Sequence, residues 1–324
     1  MKKAVLFITF TRLDYAKKVL EAISKAKPPR LYIASDGPRP DKAGEKEKVE
    51  AVREYILEHI DWKCDVKTRF LETNSGGAAQ GVSGAITWFF ENEPDGIILE
   101  EDEVPNQSFF IYCEELLDKY RDDKRIWHIT GDAPIEVDVK DSYYFAKIEH
   151  CWGWATWADR WKNYSLDISD LPKNVLEKFS AKTYIQKYWQ KIWKELNEGK
   201  IDTWDYQWTF IIVNNDGLCI NPTQNLVTNI GVDGMHYKGA VKDKDLQKKT
   251  FELQTIIHPQ KIELNEHLVE RIYKEKFNLM EGMVKYQRKF YLFSILPIYT
   301  IKKKNNISRH YLFGFIPLIQ VKDI

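Results

Sequence analysis

Short apolar runs alternate with longer segments of helical periodicity along the first part of the chain. The apolar runs that we predict to be strands are AVLFITF, RLYIAS, DVKTRFLE, GIILE and RIWHIT. Helices are predicted between them, where apolar residues recur three or four positions apart, at 14–26, 44–60, 81–92 and 107–120. This alternation predicts an α/β fold with a mostly parallel sheet flanked by helices.

Every loop that follows a predicted strand carries polar residues, and the loops concerned are TFTRLD, SDGPRP, TNSGGAAQG and EEDEVPN. In an open α/β sheet, ligands bind outside the carboxyl ends of the strands, so we expect the functional site at this edge. The chain has no GxGxxG after the first strand and no GxxxxGKS/T, which removes the main support for a dinucleotide fold or a P-loop NTPase. Binding of a nucleotide by another kind of loop is still compatible with the sequence.

The charge balance and the cysteines disfavour two kinds of function, nucleic-acid binding and zinc binding. The chain has 48 basic and 48 acidic residues, and this even balance disfavours a general nucleic-acid-binding role. The four cysteines form no CxxC or Cys/His pair, which indicates free thiols and no zinc site. We interpret MKKAVLFITFTRLDYAKK as a first strand and not a signal peptide. No apolar stretch reaches the ~18 residues that a spanning helix needs.

Four consecutive carboxylates, Glu100, Glu101, Asp102 and Glu103, follow the predicted strand GIILE. Side chains alternate along a strand, so we expect Glu100 and Asp102 on one side, and Glu101 and Glu103 on the other. Their mutual repulsion is unfavourable unless a cation, a basic partner or solvent screens it. Mg²⁺ and Mn²⁺ commonly combine one or two carboxylates with substrate phosphate oxygens. The cluster therefore indicates either a metal site or a solvated strand end.

Two other loops at the same predicted edge carry weaker signals. Asp36 follows the second strand, where it either contacts a ligand or opens the turn. The paired glycines of TNSGGAAQG allow backbone to approach a ligand closely, but a flexible loop before a helix has the same composition.

The second half of the chain is rich in tryptophan, since eight of the eleven lie between Trp152 and Trp208. Aromatic rings can stack on sugar faces. The helical spacing of Trp154, Trp157 and Trp161 instead favours core packing of helices for most of them.

Two later segments carry further candidate residues. The apolar spacing in DTWDYQWTFII places Asp205 in the first turn of a helix, as a base or as a first-turn aspartate that the helix dipole favours. The segment NLVTNIGVDGMHYK has Gly231, Gly234, Asn229 and His236, which suit a mobile loop that closes over a diphosphate. As a lone histidine, His236 is more often structural.

Several motifs occur in the order found in GT-A glycosyltransferases, the bacterial nucleotide-diphospho-sugar transferases. They are ITFTRLDYAKKVLEAI, YIASDG, GIILEEDEVPNQSFFIY, WGWATWADRW, WDYQW and CINPTQNLVTNIGVDGMH. The resemblance covers roughly residues 1–238 and extends, more distantly, to the Golgi alpha-mannoside N-acetylglucosaminyltransferase. It implies a GT-A-type, Rossmann-like fold and the transfer of a sugar from a nucleotide-diphospho-sugar.

The resemblance also implies roles for single residues. The third residue of the family's acidic triplet binds Mn²⁺ or Mg²⁺, and this position is Asp102 here. An arginine after the first strand contacts the donor diphosphate, which matches Arg12, and an aspartate that accepts from the base matches Asp36. A carboxylate can accept the N3–H of uracil or thymine, so a UDP- or dTDP-sugar is favoured. We assign to donor binding Thr11, Arg12, Asp36, Asn74, Gly76, Glu100, Glu101, Asn229 and His236.

The catalytic base implied by the resemblance is Asp205, with Asp202 as the reserve candidate. This base would deprotonate a hydroxyl of a glycan or lipid-linked acceptor, and the anomeric centre would invert. Two alternatives stay open. One is a sugar nucleotidyltransferase, although TFTRLD lacks the glycines and the lysine of its phosphate loop. The other is a catalytically silent sugar- or lipid-binding protein on the same fold.

The predicted organisation has four parts. Residues 1–147 form a nucleotide-sugar-binding half, and residues 148–239 form an acceptor half of the same domain. Residues 240–281 form a helical extension, and residues 282–324 form a basic aromatic tail.

The tail repeats the pattern YLFxxxP and has eight basic residues against one acidic residue. Bases interleaved with aromatics suit an anionic membrane surface, whereas a packed β-hairpin is the alternative, because tyrosine and β-branched residues favour strands. Similar tails look common in bacterial enzymes that build surface polysaccharides. The resemblance therefore favours a cytoplasmic protein that is peripheral on the inner face of the cell membrane.

Overall fold

A computed structural model describes residues 1–232 and 246–279, together with the backbone of the strands at 286–292, 296–304, 307–312 and 316–322. The four cysteines are free thiols. Within this part of the chain, every helix is too short or too polar to cross a bilayer.

Strands alternate with helices through the first 130 residues, except for two consecutive strands at 95–105. After residue 130 the order of strands and helices is irregular. The strands are β1 Ala4–Thr9, β2 Arg30–Ser35, β3 Asp65–Phe70, β4 Asp95–Glu100, β5 Glu103–Pro105, β6 Ile126–Thr130, β7 Tyr143–Ala146, β8 Trp154–Trp157, β9 Leu218–Pro222, β10 Val227–Asn229, β11 Tyr286–Leu292, β12 Leu296–Lys304, β13 Ile307–Leu312 and β14 Ile316–Lys322. The helices are α1 Leu13–Ala26, α2 Glu45–Glu58, α3 Ala78–Phe90, α4 Gln107–Lys119, α5 Ala158–Trp161, α6 Val175–Phe179, α7 Thr183–Asn197, α8 Asp205–Asn214 and α9 Glu266–Glu275.

The central sheet has eight strands in the order β3-β2-β1-β4-β8-β6-β9-β7. Strands β3, β2, β1 and β4 run parallel, as do β6 and β9, whereas β8 and β7 run antiparallel to their neighbours. Alternate side chains of β1 enter different hydrophobic clusters. Val5 and Phe7 pack with α1, α2 and α4, while Ala4 and Leu6 face the cluster that contains α3, α7 and α8. The fold is therefore a mostly parallel α/β sheet with helices on both faces, which confirms the predicted fold class.

The alternating pattern located the early elements accurately. The predicted strand RLYIAS coincides with β2, and GIILE lies within β4. Each predicted helix is present, although α3 begins at Ala78, before the predicted start at 81, and α2 ends at Glu58.

The aromatic half differs from prediction in one respect. Trp154 and Trp157 lie in β8 and not on a helix, because β8 pairs with the inner strands β4 and β6. The expected core role is confirmed, since Trp154, Trp157 and Trp161 are all buried. Trp154 stacks on Trp204 with ring centroids 5.3 Å apart, and Trp161 contacts Trp208 at 5.1 Å. This packing holds the start of α8 against the sheet.

The repeated pattern of the tail corresponds to two consecutive hairpins with the same register. Strands β11 to β14 form a four-stranded antiparallel sheet. Tyr291 pairs with Pro297 in the first hairpin, and Tyr311 pairs with Pro317 in the second. Each hairpin shifts register immediately before its tyrosine. The tail is thus built of strands, in agreement with the strand preference of its tyrosines and β-branched residues.

Candidate functional site

Parallel register brings the loops after β1, β2 and β4 to one edge of the sheet. Thr9 pairs with Ser35, and Ile8 pairs with Glu100, so all three strands end at the same level. Strand β8 begins at this edge, because Trp154 pairs with Ile98 and with Thr130. The residues just before β8 therefore lie beside the acidic turn after β4.

Arg12 binds two of the four carboxylates that follow β4. Its Nε donates to Glu101 Oε1 at 2.6 Å, and its Nη1 lies 2.8 Å from Asp102 Oδ2. Glu101 Oε2 also accepts from the backbone N–H of Phe10 at 2.6 Å. Burial alone would lower the pKa of Arg12, but the charges of Asp102 and Glu101 raise it above its ordinary value. Arg12 therefore compensates these two carboxylates, which are both buried.

Glu103 has a different environment and a structural role. Its Oε2 accepts from the backbone N–H of Glu100 at 2.9 Å and from that of Gly153 at 3.0 Å. Burial and then repulsion from Glu100 and Asp102 raise the pKa of Glu103 well above its ordinary value. By accepting from these two backbone groups, Glu103 ties the acidic turn to the start of β8.

The predicted alternation of the four carboxylates is wrong beyond Glu100. Strand β4 ends at Glu100, residues 101 and 102 form a turn, and a new strand begins at Glu103. Glu101 and Asp102 consequently face the same arginine. The side chains leave the strand pattern because the turn, and not a continued strand, sets their directions.

Asp205 lies close to the acidic turn. Burial raises the pKa of Glu100 to about 8, and the charges of Asp102 and Asp205 add to this effect. The indole of Trp204 hydrogen-bonds to Glu100, and the Thr203 hydroxyl donates to Asp205. The chain therefore brings Glu100, Asp102 and Asp205 within electrostatic reach of one another, although they are distant in sequence.

Asp202, the reserve candidate for the base, holds the start of α3. Its Oδ2 accepts from Ala78 N at 3.1 Å, and its Oδ1 accepts from Ala79 N at 3.0 Å. Both oxygens thus satisfy N–H groups that have no partner within the helix, as an N-cap side chain does. Gly77, with φ +135°, permits this approach, since a Cβ there would lie 2.4 Å from Asp202 Oδ2.

Asp36 organises the glycine-containing loop before α3. Its Oδ1 accepts from the N–H groups of Gly37 and Ser75 at 2.8 and 2.9 Å. Its Oδ2 accepts from Asn74 Nδ2 at 3.1 Å and from the Ser75 hydroxyl at 2.7 Å. Asn74 Oδ1 in turn accepts from the N–H of Gly76. Three of the predicted donor-binding residues, Asp36, Asn74 and Gly76, therefore form one hydrogen-bonded unit.

The remaining predicted donor-binding residues have different positions. Thr11 is half-buried in the turn between β1 and α1. Asn229 is buried, pairs with Glu103 across β10 and β5, and accepts from the N–H of Gly231 at 2.8 Å. His236 and Gly234 lie outside the residues that the structure describes.

Gly231 brings backbone against the Arg12–Asp102 ion pair. The N–H of the preceding residue, Ile230, donates to the backbone O of Asp102 at 2.8 Å. A Cβ on Gly231 would lie 2.1 Å from Asp102 Oδ2 and 3.0 Å from Arg12 Nη1. This close approach, and not a positive φ, requires glycine at this position.

Sequence reasoning missed Glu149, which lies in the loop between β7 and β8. Glu149 is 5% exposed, and its Oε1 accepts from the Thr209 hydroxyl at 2.8 Å. Burial, and then the charge of Asp205, raise the pKa of Glu149 to about 8. A signal was present, because KIEHCWGWATW places a single acid beside a run of buried aromatic residues.

A second cluster that sequence reasoning missed surrounds Asp132, just after β6. The fully buried Asp132 forms ion pairs with Lys276, at 2.7 Å, and with Lys248. Burial alone would raise the pKa of Asp132, but these two ammonium groups lower it. Lys276 also lies over the Trp152 ring, 5.1 Å from its centroid. The cluster fixes the chain around α9 to the same edge of the sheet.

Metal coordination by side chains alone is not supported here. Across residues 1–232 and 246–279, no three or more His, Cys, Asp or Glu side chains are grouped so as to hold an ion. Asp102 contributes one carboxylate, whose Oδ2 faces Arg12. A hard cation would fit only if the substrate supplied further oxygen ligands, as phosphates commonly do for Mg²⁺.

Comparisons with known proteins give structural likeness only. No protein-family profile and no curated protein matches the chain. S. aureus TarS in complex with UDP-GlcNAc is 14% identical with a TM-score of 0.42, over 75% of this chain and 62% of that one. This chain thus spans less than two thirds of the TarS structure.

Two further solved structures are similar at a comparable level. A mannosyltransferase from Pyrobaculum calidifontis, in complex with GDP-Man and Mn²⁺, is 12% identical with a TM-score of 0.37, over 54% of this chain and 51% of that one. UDP-glucose pyrophosphorylase in complex with UDP-glucose is 9% identical with a TM-score of 0.37, over 70% and 92%. These low scores carry no argument about activity.

The contact between Asp202 and α3 predicts a measurable loss of stability. We expect Asp202→Ala to lower the free energy of unfolding by about 1 kcal/mol, because it leaves two amide groups of α3 without an acceptor. Urea unfolding would measure this loss. The matched control is Asp170→Ala, at an exposed position, which should change stability little. Equal stabilities of the two variants would contradict the capping role.

The close approach at Gly231 predicts a steric effect of one methyl group. We expect Gly231→Ala to displace Arg12 or Asp102 and to lower the free energy of unfolding by about 1–3 kcal/mol, as overpacking does. Calorimetry would measure it, with Gly84→Ala in α3 as the control, because a Cβ there meets only the flexible end of Arg69. A Gly231→Ala protein as stable as the wild type would show that this backbone can move away.

Proposed function

We propose that the chain is a GT-A-type glycosyltransferase, which moves a sugar from a nucleotide-diphospho-sugar to an acceptor hydroxyl. One observation carries the proposal. The carboxylates after β4, the guanidinium of Arg12 and the distant Asp205 meet at the carboxyl edge of the sheet. This edge is where open α/β sheets bind ligands.

The donor nucleotide would lie over the loops after β1, β2 and β3. Arg12 can hold diphosphate oxygens through charge-assisted hydrogen bonds, and the unit of Asp36, Asn74 and Gly76 lies beside it at the same edge. Asp36 would accept from the base in exchange for one of its hydrogen bonds from Asn74 or Ser75, which favours a UDP- or dTDP-sugar. The proposed donor site also contains Thr11, Glu100, Glu101, Asn229 and His236.

Asp102 would hold a Mn²⁺ or Mg²⁺ ion together with phosphate oxygens of the donor. The ion would neutralise charge that develops on the departing nucleoside diphosphate. Arg12 already pairs with Asp102 and Glu101, so donor binding would exchange part of this ion pair for contacts with phosphate.

Asp205 would remove the proton of the acceptor hydroxyl, and attack on the side opposite the diphosphate would invert the anomeric centre. Its position beside Glu100 supports this assignment. Asp202 is less suited to the role, because both of its oxygens already accept from the amides of α3.

A donor screen tests this function. In the presence of Mn²⁺, a nucleotide sugar at ~100 times its own dissociation constant should raise the free energy of unfolding by about 2.7 kcal/mol. A panel of UDP-, dTDP- and GDP-sugars in thermal unfolding would therefore identify the donor. EDTA should abolish the metal-dependent part of the stabilisation.

With that donor, Asp102→Asn should lower the release of nucleoside diphosphate at least ~100-fold, because a group that stabilises charge in the transition state is lost. Asp122→Asn, an exposed carboxylate elsewhere, is the matched control. Full activity of Asp102→Asn would refute the metal role. Formation of pyrophosphate from an NTP and a sugar phosphate would favour a nucleotidyltransferase. Binding without any turnover by the wild type would favour a binding protein.

The acceptor in this proposal is a glycan or a lipid-linked sugar, with the tail holding the protein on the inner face of the cell membrane. The support is the charge of 282–324 and its sheet, in which Lys302 pairs in register with Arg309. Each Lys or Arg near an anionic bilayer contributes about 1 kcal/mol to binding.

The full chain should therefore co-sediment with anionic liposomes at low salt and dissociate at high salt, whereas a chain that ends near Glu281 should stay folded in the supernatant. Neutral phosphatidylcholine liposomes are the control. Equal partitioning of the two chains, or loss of folding on truncation, would instead indicate a tail that packs on the domain.

A further inference from the structure

Glu149 is a buried carboxyl group with one satisfied oxygen and one without a partner. Thr209 donates to Oε1 at 2.8 Å. Oε2 has no hydrogen-bond partner among the residues that the structure describes, although Glu149 is 5% exposed. An orphaned polar atom at such a position is costly unless a ligand or a water satisfies it.

The first turns of α8 connect Glu149 with the proposed base. Thr209 lies one turn after Asp205, and its hydroxyl is 3.4 Å from the backbone O of Asp205 as well as 2.8 Å from Glu149. The charges of Asp205, Glu149 and Glu100 all act on the thiol of Cys151, shortly before β8, so both carboxyl groups lie near the acidic turn. Glu149 and Asp205 therefore border the same part of the site.

The charge of Glu149 depends on its burial and on three neighbouring groups, Asp205, Thr209 and Lys276. Burial and the charge of Asp205 raise its pKa, whereas the Thr209 hydroxyl and the ammonium of Lys276 lower it, and the result is about 8. The nearby thiols of Cys151 and Cys219 are held neutral, because burial raises their pKa values well above the ordinary range. Below pH 8, Glu149 consequently carries a proton that it can donate.

We propose that Glu149 is an acceptor-binding residue, which in its protonated form donates a hydrogen bond from Oε2 to the acceptor hydroxyl that Asp205 deprotonates. This inference rests on the proposed function. In the reaction, the hydroxyl proton passes to Asp205, and the freed oxygen bonds to the anomeric carbon. The bond from that carbon to the diphosphate oxygen breaks, and its electrons leave with the nucleoside diphosphate. Glu149 keeps its proton throughout.

Glutamine provides a sharp test, because its amide resembles a carboxylic acid that cannot ionise. In Glu149→Gln, the amide oxygen can accept from Thr209 while the NH₂ group donates in place of the Oε2 proton. Glu149→Ala removes both interactions. Glu149→Ala thus removes the hydrogen bond that the side chain donates. Glu149→Gln keeps that hydrogen bond and removes only the ability of the side chain to ionise.

The readout is nucleoside diphosphate release from the nucleotide sugar identified by the donor screen, with water as the acceptor probe, between pH 6 and 10. Wild-type kcat should fall as Glu149 ionises above about pH 8. Glu149→Gln should stay within about threefold of the wild type at pH 7 and show a weaker alkaline decline, because Glu100 still titrates in this range, whereas Glu149→Ala should lose about tenfold at every pH. An alkaline decline in Glu149→Gln that matches the wild type would overturn the proposal.

Difference infrared spectroscopy of the full chain gives a readout that needs no turnover. The spectrum of the wild type minus that of Glu149→Gln should show a carboxylic acid C=O band that disappears as pH rises through about 8, and this subtraction removes the band of Glu100, whose pKa is also about 8. Asp205→Asn should move this titration to lower pH, because the Asp205 charge raises the pKa of Glu149. A Glu149 that is ionised at pH 7 overturns this inference and leaves the proposed function intact. Absence of turnover with every nucleotide sugar overturns the proposed function, whatever the infrared result.

Discussion

The arrangement of the site depends on the pairing of Arg12 with Glu101 and Asp102. Four consecutive carboxylates at the end of a buried strand repel one another, and burial strengthens that repulsion. The guanidinium compensates two of them, and backbone N–H groups satisfy Glu103. Without Arg12, the turn after β4 would expose its acids to solvent or take up protons. One side chain after β1 thus allows the chain to keep a dense group of acids at the edge of the sheet.

The carboxyl groups at this edge have different roles, because they differ in burial and in hydrogen-bond partners. Glu103 ties the acidic turn to β8, and Asp202 holds the start of α3. Glu100 and Glu149, whose pKa values burial raises to about 8, flank Asp205. Carboxyl groups that differ in burial and in hydrogen-bond partners have different pKa values. One site can therefore use them as acid, base or ligand.

The early part of the fold followed closely from the sequence because its signals are local. Apolar runs and helical spacing are set by which face of each element is buried, and they located β1 to β4, β6 and α1 to α4. They failed at Trp154 and Trp157, where a spacing that also suits a helix occurs in a strand between two others. The hairpin repeat of the tail was visible in the sequence, but only backbone pairing showed that its two copies share one register.

The sequence by itself determined the α/β class, the position of the acidic cluster at the carboxyl edge of the sheet and, with it, the edge that carries the candidate site. It could do so because the alternation of strands with helices and the polarity of the loops are encoded in neighbouring residues. Only the tertiary structure decided which charges meet. Arg12 reaches Asp102 through parallel pairing of β1 with β4, and Gly231 reaches the same ion pair through β10. Glu149 comes within electrostatic reach of Asp205 because Thr209 of α8 hydrogen-bonds to Glu149. Such contacts join distant parts of the chain. Burial of the carboxyl groups shifts their pKa values, and this burial exists only after folding.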